Sequence, residues 1–234
     1  ELKKSLLKMK CQNHGKNYIR NTMENKKAIL LLSGGIDSTT LLAKLSSENY
    51  EIIALSFHYG QKHEIEINYA KKNAKKYDVK KHQIIELDKK IFKTSALVNR
   101  DIEIATYENS VSPAGQVNAY VPFRNMLFIS TALSIAESMN INEVYLAFNQ
   151  DDSNNFWDCK TDFVEKANAI VALNSSIQIK TPFINLSKTE IIRIAYQLEV
   201  NLQDTITCYS PNEEIECGVC LSCVTKQKAL ENAL

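Results

Sequence analysis

Two adjacent glycines mark a junction in this chain that is suited to binding a phosphate group. Gly34 and Gly35 are two of only six glycines among 234 residues, and they join the apolar run of residues 28–32 to a segment with helical spacing. Because glycines carry no side chains, an anion can approach the backbone N–H groups, and a helix dipole adds partial positive charge there. Residues 33–40 are therefore predicted to form a loop that binds pyrophosphate through its backbone N–H groups.

The residues after the glycines distinguish this turn from the common nucleotide loops. A Walker A loop needs a lysine after its second glycine, and a dinucleotide fingerprint needs G-x-G-x-x-G, whereas this chain has Ile36, Asp37 and Ser38. Hydroxyls and amides without a lysine favour pyrophosphate as the leaving group, so that ATP is cleaved between its α and β phosphates and gives AMP. A glycine turn that only packs the helix against the strand is the alternative interpretation.

The predicted nucleotide site is one continuous segment. Its residues are Leu32, Ser33, Gly34, Gly35, Ile36, Asp37, Ser38, Thr39 and Thr40. The hydroxyl of Ser38 adds a hydrogen-bond donor, and Asp37 is predicted to hold Mg²⁺, a hard cation that prefers carboxylate oxygen. Both belong to the predicted catalytic set. An acid at a helix N-terminus also interacts favourably with the helix dipole, and this is the alternative for Asp37.

Four of the six cysteines lie close together near the C-terminus. They are Cys208, Cys217, Cys220 and Cys223, all within sixteen residues. Four thiolates at this spacing predict a closed tetrahedral Zn²⁺ site, and a site without an open position has a structural role. An iron–sulfur cluster also takes four cysteines and is the competing interpretation.

The elements that must position these residues alternate along the chain. Strands are predicted at residues 28–32, 51–57, 82–87, 143–148 and 177–183, and helices near residues 38–47, 64–77, 125–139 and 161–173. A further helix begins after Ser187, which forms a capping box with Glu190. Residues 88–118 are predicted to be a long loop with short helical pieces. The alternation predicts an α/β fold with a doubly wound, five-stranded parallel sheet and a small C-terminal zinc lobe.

Charge and hydropathy narrow the class of protein. Residues 1–22 carry six basic side chains against one acidic side chain, so the remaining residues carry a net charge of −4 within a total of +1. We expect a flexible basic extension at residues 1–22, a nucleotide-binding domain at 23–200 and the zinc lobe at 201–234. The net negative charge of residues 23–234 disfavours stable binding to nucleic acid, whose backbone is also negatively charged. No apolar run has transmembrane length, so we expect a cytoplasmic protein without a membrane partner.

The segment from Ser33 to Ser38 resembles the S-G-G-x-D-S signature of the PP-loop ATP pyrophosphatases. With the C-terminal cysteines, the chain is similar to the 7-cyano-7-deazaguanine synthase (preQ0 synthase) family over about residues 26–230. SFHYGQKHEIE (56–66), YVPFRN (120–125), NQDDSNNFWDC (149–159) and TPFINLSKTEII (181–192) resemble that family's segments in the same order. The resemblance implies an adenine nucleotide alpha hydrolase-like fold. Phe123, Ala147, Leu221 and residues 155–157 depart from the family's usual residues, which concerns the shape of the substrate pocket.

The resemblance implies an ATP-dependent ligase of queuosine precursor biosynthesis. Such an enzyme converts 7-carboxy-7-deazaguanine and ammonia into the nitrile through two adenylations, each releasing pyrophosphate and then AMP. ATP, Mg²⁺ and structural Zn²⁺ are the expected cofactors, and family members often form homodimers, which is the state we expect here.

Five more side chains are predicted to serve this site. Arg124 grips a carboxylate or an ATP phosphate with its fork of donors, and Lys188, at a helix N-terminus where a cation is otherwise disfavoured, reaches the phosphates. His63 lines the pocket, and Asp152 or Asp158 pairs with the guanine-like edge of the substrate. The alternatives are a surface arginine, a structural histidine and solvated loop acids.

Two rival functions fit parts of the sequence. A PP-loop enzyme that thiolates tRNA would need an electropositive face and a reactive cysteine or iron–sulfur centre, and neither the acidic body nor the closed cysteine spacing favours it. A zinc module that binds a partner without catalysis leaves the glycine turn unexplained.

Overall fold

The computed structural model of the protein describes residues 26–111 and 117–233. The predicted basic extension, residues 1–22, lies outside the described residues. Within the described part of the chain, no helix is both long enough and apolar enough to cross a bilayer.

Five parallel strands form one sheet, as the alternating pattern predicts. They are β1 (Lys27–Leu31), β2 (Glu51–His58), β3 (Lys81–Glu86), β4 (Glu143–Tyr145) and β5 (Gln178–Lys180). Their spatial order is β3-β2-β1-β4-β5, and every pair is parallel. The chain builds outward from β1 to β3 and then returns to place β4 on the other side of β1. This reversal opens a crevice between the carboxyl ends of β1 and β4, where doubly wound sheets bind ligands.

Seven helices are found among the described residues. They are α1 (Ile36–Ser47), α2 (Glu66–Lys76), α3 (Arg124–Ser138), α4 (Gln150–Asn155), α5 (Thr161–Val171), α6 (Lys188–Gln197) and α7 (Leu221–Ala233). The predicted loop contains two short 3-10 turns, Lys89–Phe92 and Tyr107–Asn109. The capping box at Ser187 is present, since its hydroxyl accepts from the Glu190 N–H and the Glu190 carboxylate accepts from the Ser187 N–H.

Two strands are shorter than the sequence predicts. The apolar run of β4 continues past Tyr145, but Leu146, Ala147 and Phe148 leave the sheet and line a cavity. β5 ends at Lys180 because Pro182 follows shortly after, and a proline has no N–H to donate to a neighbouring strand.

The core has one layer on each face of the sheet. Successive residues of a strand point to opposite faces. Ile29 therefore packs in the cluster that includes Ile129 of α3, and Leu30 packs in the cluster that includes Leu41 of α1 and Ile191 of α6. Burying one such side chain stabilises the fold by about 1.5–3 kcal/mol. The two layers fix the strand ends from which the site residues project.

The C-terminal segment packs against the sheet domain beside the glycines. Ile206 and three of the clustered cysteines form an apolar cluster with Ile65 and Tyr69, near the start of α2. The N–H of Ile206 donates to the carbonyl of Gly34 at 3.1 Å. In α7, Ala229 packs against Ile36 and Ile192. The cysteine-bearing segment is therefore attached to the turn that carries the glycines.

Candidate active site

A cavity of about 260 Å³ opens at the carboxyl ends of β1, β2 and β4. It lies at the switch point of the strand order. The predicted site residues in its lining are Leu32, Ser33, Gly35, Asp37, Ser38, His63, Arg124, Asp152 and Lys188. The fold thus brings all the predicted catalytic side chains to one cavity, together with part of the glycine turn (residues 33–38).

Two serine hydroxyls close the glycine turn. The hydroxyls of Ser33 and Ser38 lie 3.0 Å apart, and Ser38 Oγ accepts from the N–H of Ser33 at 3.2 Å. Ser33 Oγ accepts from the N–H of Gly35 at 3.3 Å. α1 begins at the next residue, and the first N–H groups of a helix have no acceptor within the helix. These groups, with the helix dipole, make the turn a site for an anion.

The two glycines are required for different reasons. Gly34 has φ of +88°, and a Cβ atom there would lie 2.3 Å from the carbonyl oxygen of Glu66. At Gly35 the nearest atoms to an added Cβ are 3.5 Å away, and the residue lines the cavity. Packing of helix against strand, the alternative interpretation of the turn, therefore explains Gly34. An open approach for a ligand explains Gly35.

The other members of the predicted segment lie behind the turn and do not line the cavity. Ile36 is fully buried against α6 and α7. Thr40 Oγ1 donates to the Ile36 carbonyl at 2.8 Å, and Thr39 Oγ1 is buried without a hydrogen-bond partner among the described residues. These side chains hold the first turn of α1 in place.

Asp37, Lys188 and Asp152 form a charged cluster at one end of the cavity. Lys188 Nζ is paired with Asp37 Oδ2. Asn149, which is fully buried, bridges the two acids: its Nδ2 donates to Asp37 Oδ2 at 3.2 Å and to Asp152 Oδ2 at 2.8 Å. The backbone N–H of Lys188 donates to Asp151 Oδ2 at 2.6 Å. The cluster therefore connects the starts of α1, α4 and α6.

This cluster has more negative than positive charge. Burial lowers the pKa of Lys188, but the nearby Asp37 and Asp152 carboxylates outweigh burial and raise it, so the ammonium stays charged. Burial raises the pKa of Asp152. Asp37 Oδ1 is buried and has no hydrogen-bond partner among the described residues. An unpartnered carboxylate oxygen at the base of the glycine turn suits a hard cation.

Arg124 is a buried cation on another wall of the cavity. It begins α3 directly after Phe123, which has a left-handed backbone with φ of +52°. Its Nη1 donates to the Tyr59 hydroxyl at 3.2 Å, and its guanidinium lies 5.9 Å from the centres of the Tyr59 and Phe128 rings. No ion pair to Arg124 is found within residues 26–111 and 117–233. Its positive charge is therefore available to an anionic ligand.

His63 and Glu66 lie together near the start of α2. Burial lowers the pKa of His63 to about 3, so the imidazole is neutral, and its Nδ1 is buried with no partner in the described part of the chain. Its Nε2 lies 3.6 Å from Glu66 Oε1, which accepts a hydrogen bond from Gln61 Nε2 at 2.9 Å. Glu66 lines the cavity but is absent from the sequence-based set.

Asp158 differs from the other predicted residues, since it does not line the cavity. It is 2% exposed, and burial raises its pKa. The adjacent Cys159 does line the cavity, and Asn125 Nδ2 contacts its Sγ at 3.4 Å. Burial also raises the pKa of the Cys159 thiol well above its usual range, which disfavours a reactive thiolate.

The four clustered cysteines can hold a metal ion. All four Sγ atoms lie within 4.8 Å of one another, and those of Cys217 and Cys223 are 3.9 Å apart. Tetrahedral Zn–S bonds of about 2.3 Å place their sulfur atoms about 3.8 Å apart, so the arrangement fits. Cys208 Sγ also accepts from the N–H groups of Ser210 and Cys217, at 3.3 and 3.2 Å.

The cysteine segment contributes a wall to the cavity, which the sequence patterns do not reveal. Ile206, Thr207, Tyr209 and Ser222 all line it. Thr207 Oγ1 is buried without a partner among the described residues, and its methyl group is the third-nearest neighbour of a Cβ built on Gly35. The only feature of the sequence that could have indicated these residues is their position close to Cys208 and Cys223. A metal site that fixes those cysteines also fixes this wall.

Comparison with known proteins decides the family. The family model described as "Queuosine biosynthesis protein QueC" matches residues 27–234. The chain belongs to the QueC family. A 7-cyano-7-deazaguanine synthase from Rickettsia bellii is 37% identical over 211 residues, covering 88% of this chain and 94% of that protein. One from Saccharophagus degradans is 37% identical over 219 residues, covering 90% and 96%.

A solved structure supports the fold of this QueC family member. NMN synthetase from Francisella tularensis matches with a TM-score of 0.51 at 16% identity, covering 84% of this chain and 70% of that chain. At this identity the likeness shows the fold alone. It agrees with the five-stranded parallel sheet described above.

The positions where this QueC family chain departs from the expected pattern are not scattered. The Phe123 and Trp157 rings meet edge to face at 5.4 Å, and Trp157 Nε1 donates to the Tyr120 hydroxyl at 2.9 Å. Ala147 and Phe156 line the cavity. Leu221 begins α7 and Asn155 is exposed at the end of α4, whereas the other departures line the cavity or form the Phe123–Trp157 pair next to Arg124.

Proposed function

We propose that the chain uses ATP to convert 7-carboxy-7-deazaguanine and ammonia into 7-cyano-7-deazaguanine, a queuosine precursor, through adenylated intermediates that release AMP and pyrophosphate. One observation carries the proposal: a lysine-free glycine turn at a helix N-terminus shares a cavity with Arg124, a buried cation for which no ion pair is found among the described residues. The names of the relatives give the product, 7-cyano-7-deazaguanine, and the acid substrate is the one that the family resemblance implies.

The reaction explains why two anion sites are needed in one cavity. A carboxylate is a poor electrophile, and attack of its oxygen on the α phosphate of ATP turns that oxygen into part of an AMP leaving group. Ammonia then displaces AMP to give the amide. Adenylation of the amide oxygen and a second loss of AMP give the nitrile. Each adenylation expels pyrophosphate, whose charge must be stabilised by groups already in position.

In this proposal the nucleotide site is the segment from Leu32 to Thr40. The N–H groups of the glycine turn and the Ser38 hydroxyl bind pyrophosphate, and the neighbouring Thr207 adds a hydroxyl. Asp37 is the residue that would hold Mg²⁺, through the oxygen that has no hydrogen-bond partner among the described residues. Bound Mg²⁺ supplies charge stabilisation to the phosphates. Lys188 balances Asp37 and Asp152 and contributes a donor to the phosphates.

The substrate acid is assigned to the Arg124 side of the cavity. A guanidinium fork binds a carboxylate through two parallel hydrogen bonds, and here the surrounding Tyr59 and Phe128 rings limit its movement. His63 and Asp152 are proposed to contact the deazaguanine ring system. A contact between Asp158 and the deazaguanine ring system remains a prediction. Asp158 does not line the cavity itself and hydrogen-bonds with Asn125, which does.

We assign Zn²⁺ to the four cysteines, with a structural role. A set of four thiolates has no open coordination position, and zinc is the metal that most often takes this set. A colourless protein with one equivalent of zinc is expected, and visible absorption from an iron–sulfur cluster would contradict the assignment. The division into residues 1–22, 23–200 and 201–234, the homodimer and the cytoplasmic location also remain predictions.

The proposed function is tested by incubating the protein with 7-carboxy-7-deazaguanine, ATP, Mg²⁺ and ammonium and identifying the products by mass. We expect the nitrile, with two AMP formed for each nitrile. Arg124→Ala should lower turnover, whereas Arg193→Ala, which changes an exposed arginine bound to the Asn232 carbonyl, should not. Absence of AMP and nitrile would refute the proposal, and sulfur incorporation into added tRNA would favour a thiolating enzyme.

A further inference from the structure

Nitrile formation from ammonia requires a proton acceptor in the cavity. Ammonia that attacks the acyl adenylate becomes a positively charged nitrogen, which must lose a proton before AMP departs as the amide forms. The adenylated amide must then lose both of its N–H protons to become a nitrile. Three protons therefore leave the same nitrogen position inside this cavity. This inference rests on the proposed function.

Most acidic and basic groups of the cavity are poorly placed for this task. Asp37 is paired with Lys188, and Asp152 accepts a hydrogen bond from Asn149 at the same end of the cavity. His63 has a pKa of about 3 because of its burial, so it binds a proton weakly. Among the described lining residues, Glu66 is the carboxylate that lies away from Lys188.

The contacts of Glu66 leave one carboxylate oxygen for a ligand. Gln61 Nε2 donates to Oε1 at 2.9 Å, and His63 Nε2 is 3.6 Å from that same oxygen. No hydrogen bond to Oε2 is found within the described ranges 26–111 and 117–233. The side chain is 16% exposed and lines the cavity, in which Ile67 and Leu97 are apolar neighbours. Glu66 is thus held in place through Oε1 while Oε2 stays available.

We propose that Glu66 is the proton acceptor of the ammonia-dependent steps. In the first step, the nitrogen of ammonia forms a bond to the acyl carbon, and Glu66 Oε2 takes one proton from that nitrogen. The C–O bond to AMP then breaks, the electron pair leaves with AMP, and the products are the amide and AMP. The proton passes from Glu66 to solvent before the second adenylation.

The second half of the reaction balances in the same way. The amide oxygen attacks the α phosphate of a second ATP, pyrophosphate leaves, and the nitrogen of the adenylated amide carries two protons and a positive charge. Glu66 removes the first of these protons, releases it to solvent and then removes the second. As the second proton leaves, its bonding pair forms the third C–N bond and the C–O bond to AMP breaks. No oxidant or reductant is needed.

The electrostatic surroundings of Glu66 support this role. Burial raises the pKa of its carboxyl to about 7, against the lowering effects of the Gln61 hydrogen bond and the Arg124 charge. His63 and Tyr59 are the other titratable groups near it, and both are neutral near pH 7, since burial lowers the pKa of His63 and raises that of Tyr59. A base is most effective when its pKa is near the working pH.

The test separates adenylation from the ammonia steps. Glu66→Gln keeps the shape of the side chain but does not accept a proton, so pyrophosphate exchange into ATP with the acid substrate should stay within a few-fold of the unsubstituted enzyme. Formation of amide and nitrile should fall about 10²–10⁴-fold, the usual range for a general base. Glu64→Gln is the matched control, because that side chain is 60% exposed and contacts His58 on the surface.

Two further measurements exclude a merely structural role. Formate added to Glu66→Ala should restore part of the amide formation, because a small carboxylate can occupy the space that the substitution leaves. At a fixed concentration of un-ionised ammonia, the amide step of the unsubstituted enzyme should rise with pH through about 7, as Glu66 loses its proton, and this rise should be absent in Glu66→Gln.

Each outcome decides between explanations. Full amide and nitrile formation by Glu66→Gln would overturn the inference, and so would equal loss of exchange and product formation, which indicates a structural role. An unsubstituted enzyme that makes no amide or nitrile would instead overturn the proposed function.

Discussion

Replacing Gly34 by alanine should damage the protein more than any other single-methyl change in the glycine turn. The added Cβ would lie 2.3 Å from the Glu66 carbonyl oxygen and 2.8 Å from the Ala70 backbone nitrogen, both on α2. The left-handed backbone, with φ of +88°, costs a residue with a side chain about 1–2 kcal/mol. Displacing a packed helix costs about 1–3 kcal/mol more. We therefore expect Gly34→Ala to lower the free energy of unfolding by about 2–5 kcal/mol.

Two other glycines provide controls for the two parts of this cost. Gly218 also has positive φ, +73°, but no atom lies within 4 Å of an added Cβ. Gly218→Ala should therefore cost only the backbone part, about 1–2 kcal/mol. Gly35 has φ of −79°, and its nearest neighbours are 3.5 Å away. Gly35→Ala should leave stability nearly unchanged but place a methyl group on the cavity floor, which obstructs the phosphates.

Urea unfolding and pyrophosphate exchange measure these effects separately. The expected order of stability loss is Gly34→Ala, then Gly218→Ala, then Gly35→Ala, with Gly35→Ala losing exchange while it remains folded. The reasoning would be refuted if Gly34→Ala were as stable as Gly35→Ala. It would also be refuted if Gly35→Ala exchanged pyrophosphate at the full rate.

Three further perturbations test other parts of the account. If the four cysteines hold the proposed metal, a chelator should lower the unfolding temperature and weaken nucleotide binding, because the cavity wall at Thr207 and Tyr209 adjoins the cysteines. An unchanged nucleotide titration would contradict this. Lys188→Met should abolish turnover and lower the free energy of unfolding by about 3–5 kcal/mol, because it leaves buried acids unpaired. Adding Asp37→Asn to this variant should restore stability but not turnover. Urea unfolding of both variants checks this, and equal stability of the two would contradict it. Ser187→Ala should cost about 1 kcal/mol through loss of the capping box, measured by thermal unfolding against Ser46→Ala.

The parts of the site that were predictable lie close together in the sequence. The strand, the two glycines and the first turn of α1 occupy one short segment, and the four cysteines occupy another. In such segments, residue type and spacing reflect local geometry directly. The parallel direction of the five strands followed from their alternation with helices, because parallel strands require crossover connections.

The parts that were not predictable depend on tertiary packing. Glu66 has the local character of an ordinary acid at a helix start, and only the approach of α2 to Gly34 brings it to the cavity. Asn149 bridges Asp37 and Asp152 across more than a hundred residues of sequence. Helix α7 has only Cys223 and Ala229 buried, so it lacks an apolar stripe that periodicity could detect.

The most direct measurement follows the carboxylate oxygens of the substrate. We would prepare 7-carboxy-7-deazaguanine with both carboxylate oxygens as the heavy isotope, let it react with ATP, Mg²⁺ and ammonium, and analyse AMP and pyrophosphate by mass. The account predicts that each AMP carries one heavy oxygen, that pyrophosphate carries none and that the nitrile retains none. Heavy oxygen in inorganic phosphate, with ADP in place of AMP, would contradict adenylation in this cavity.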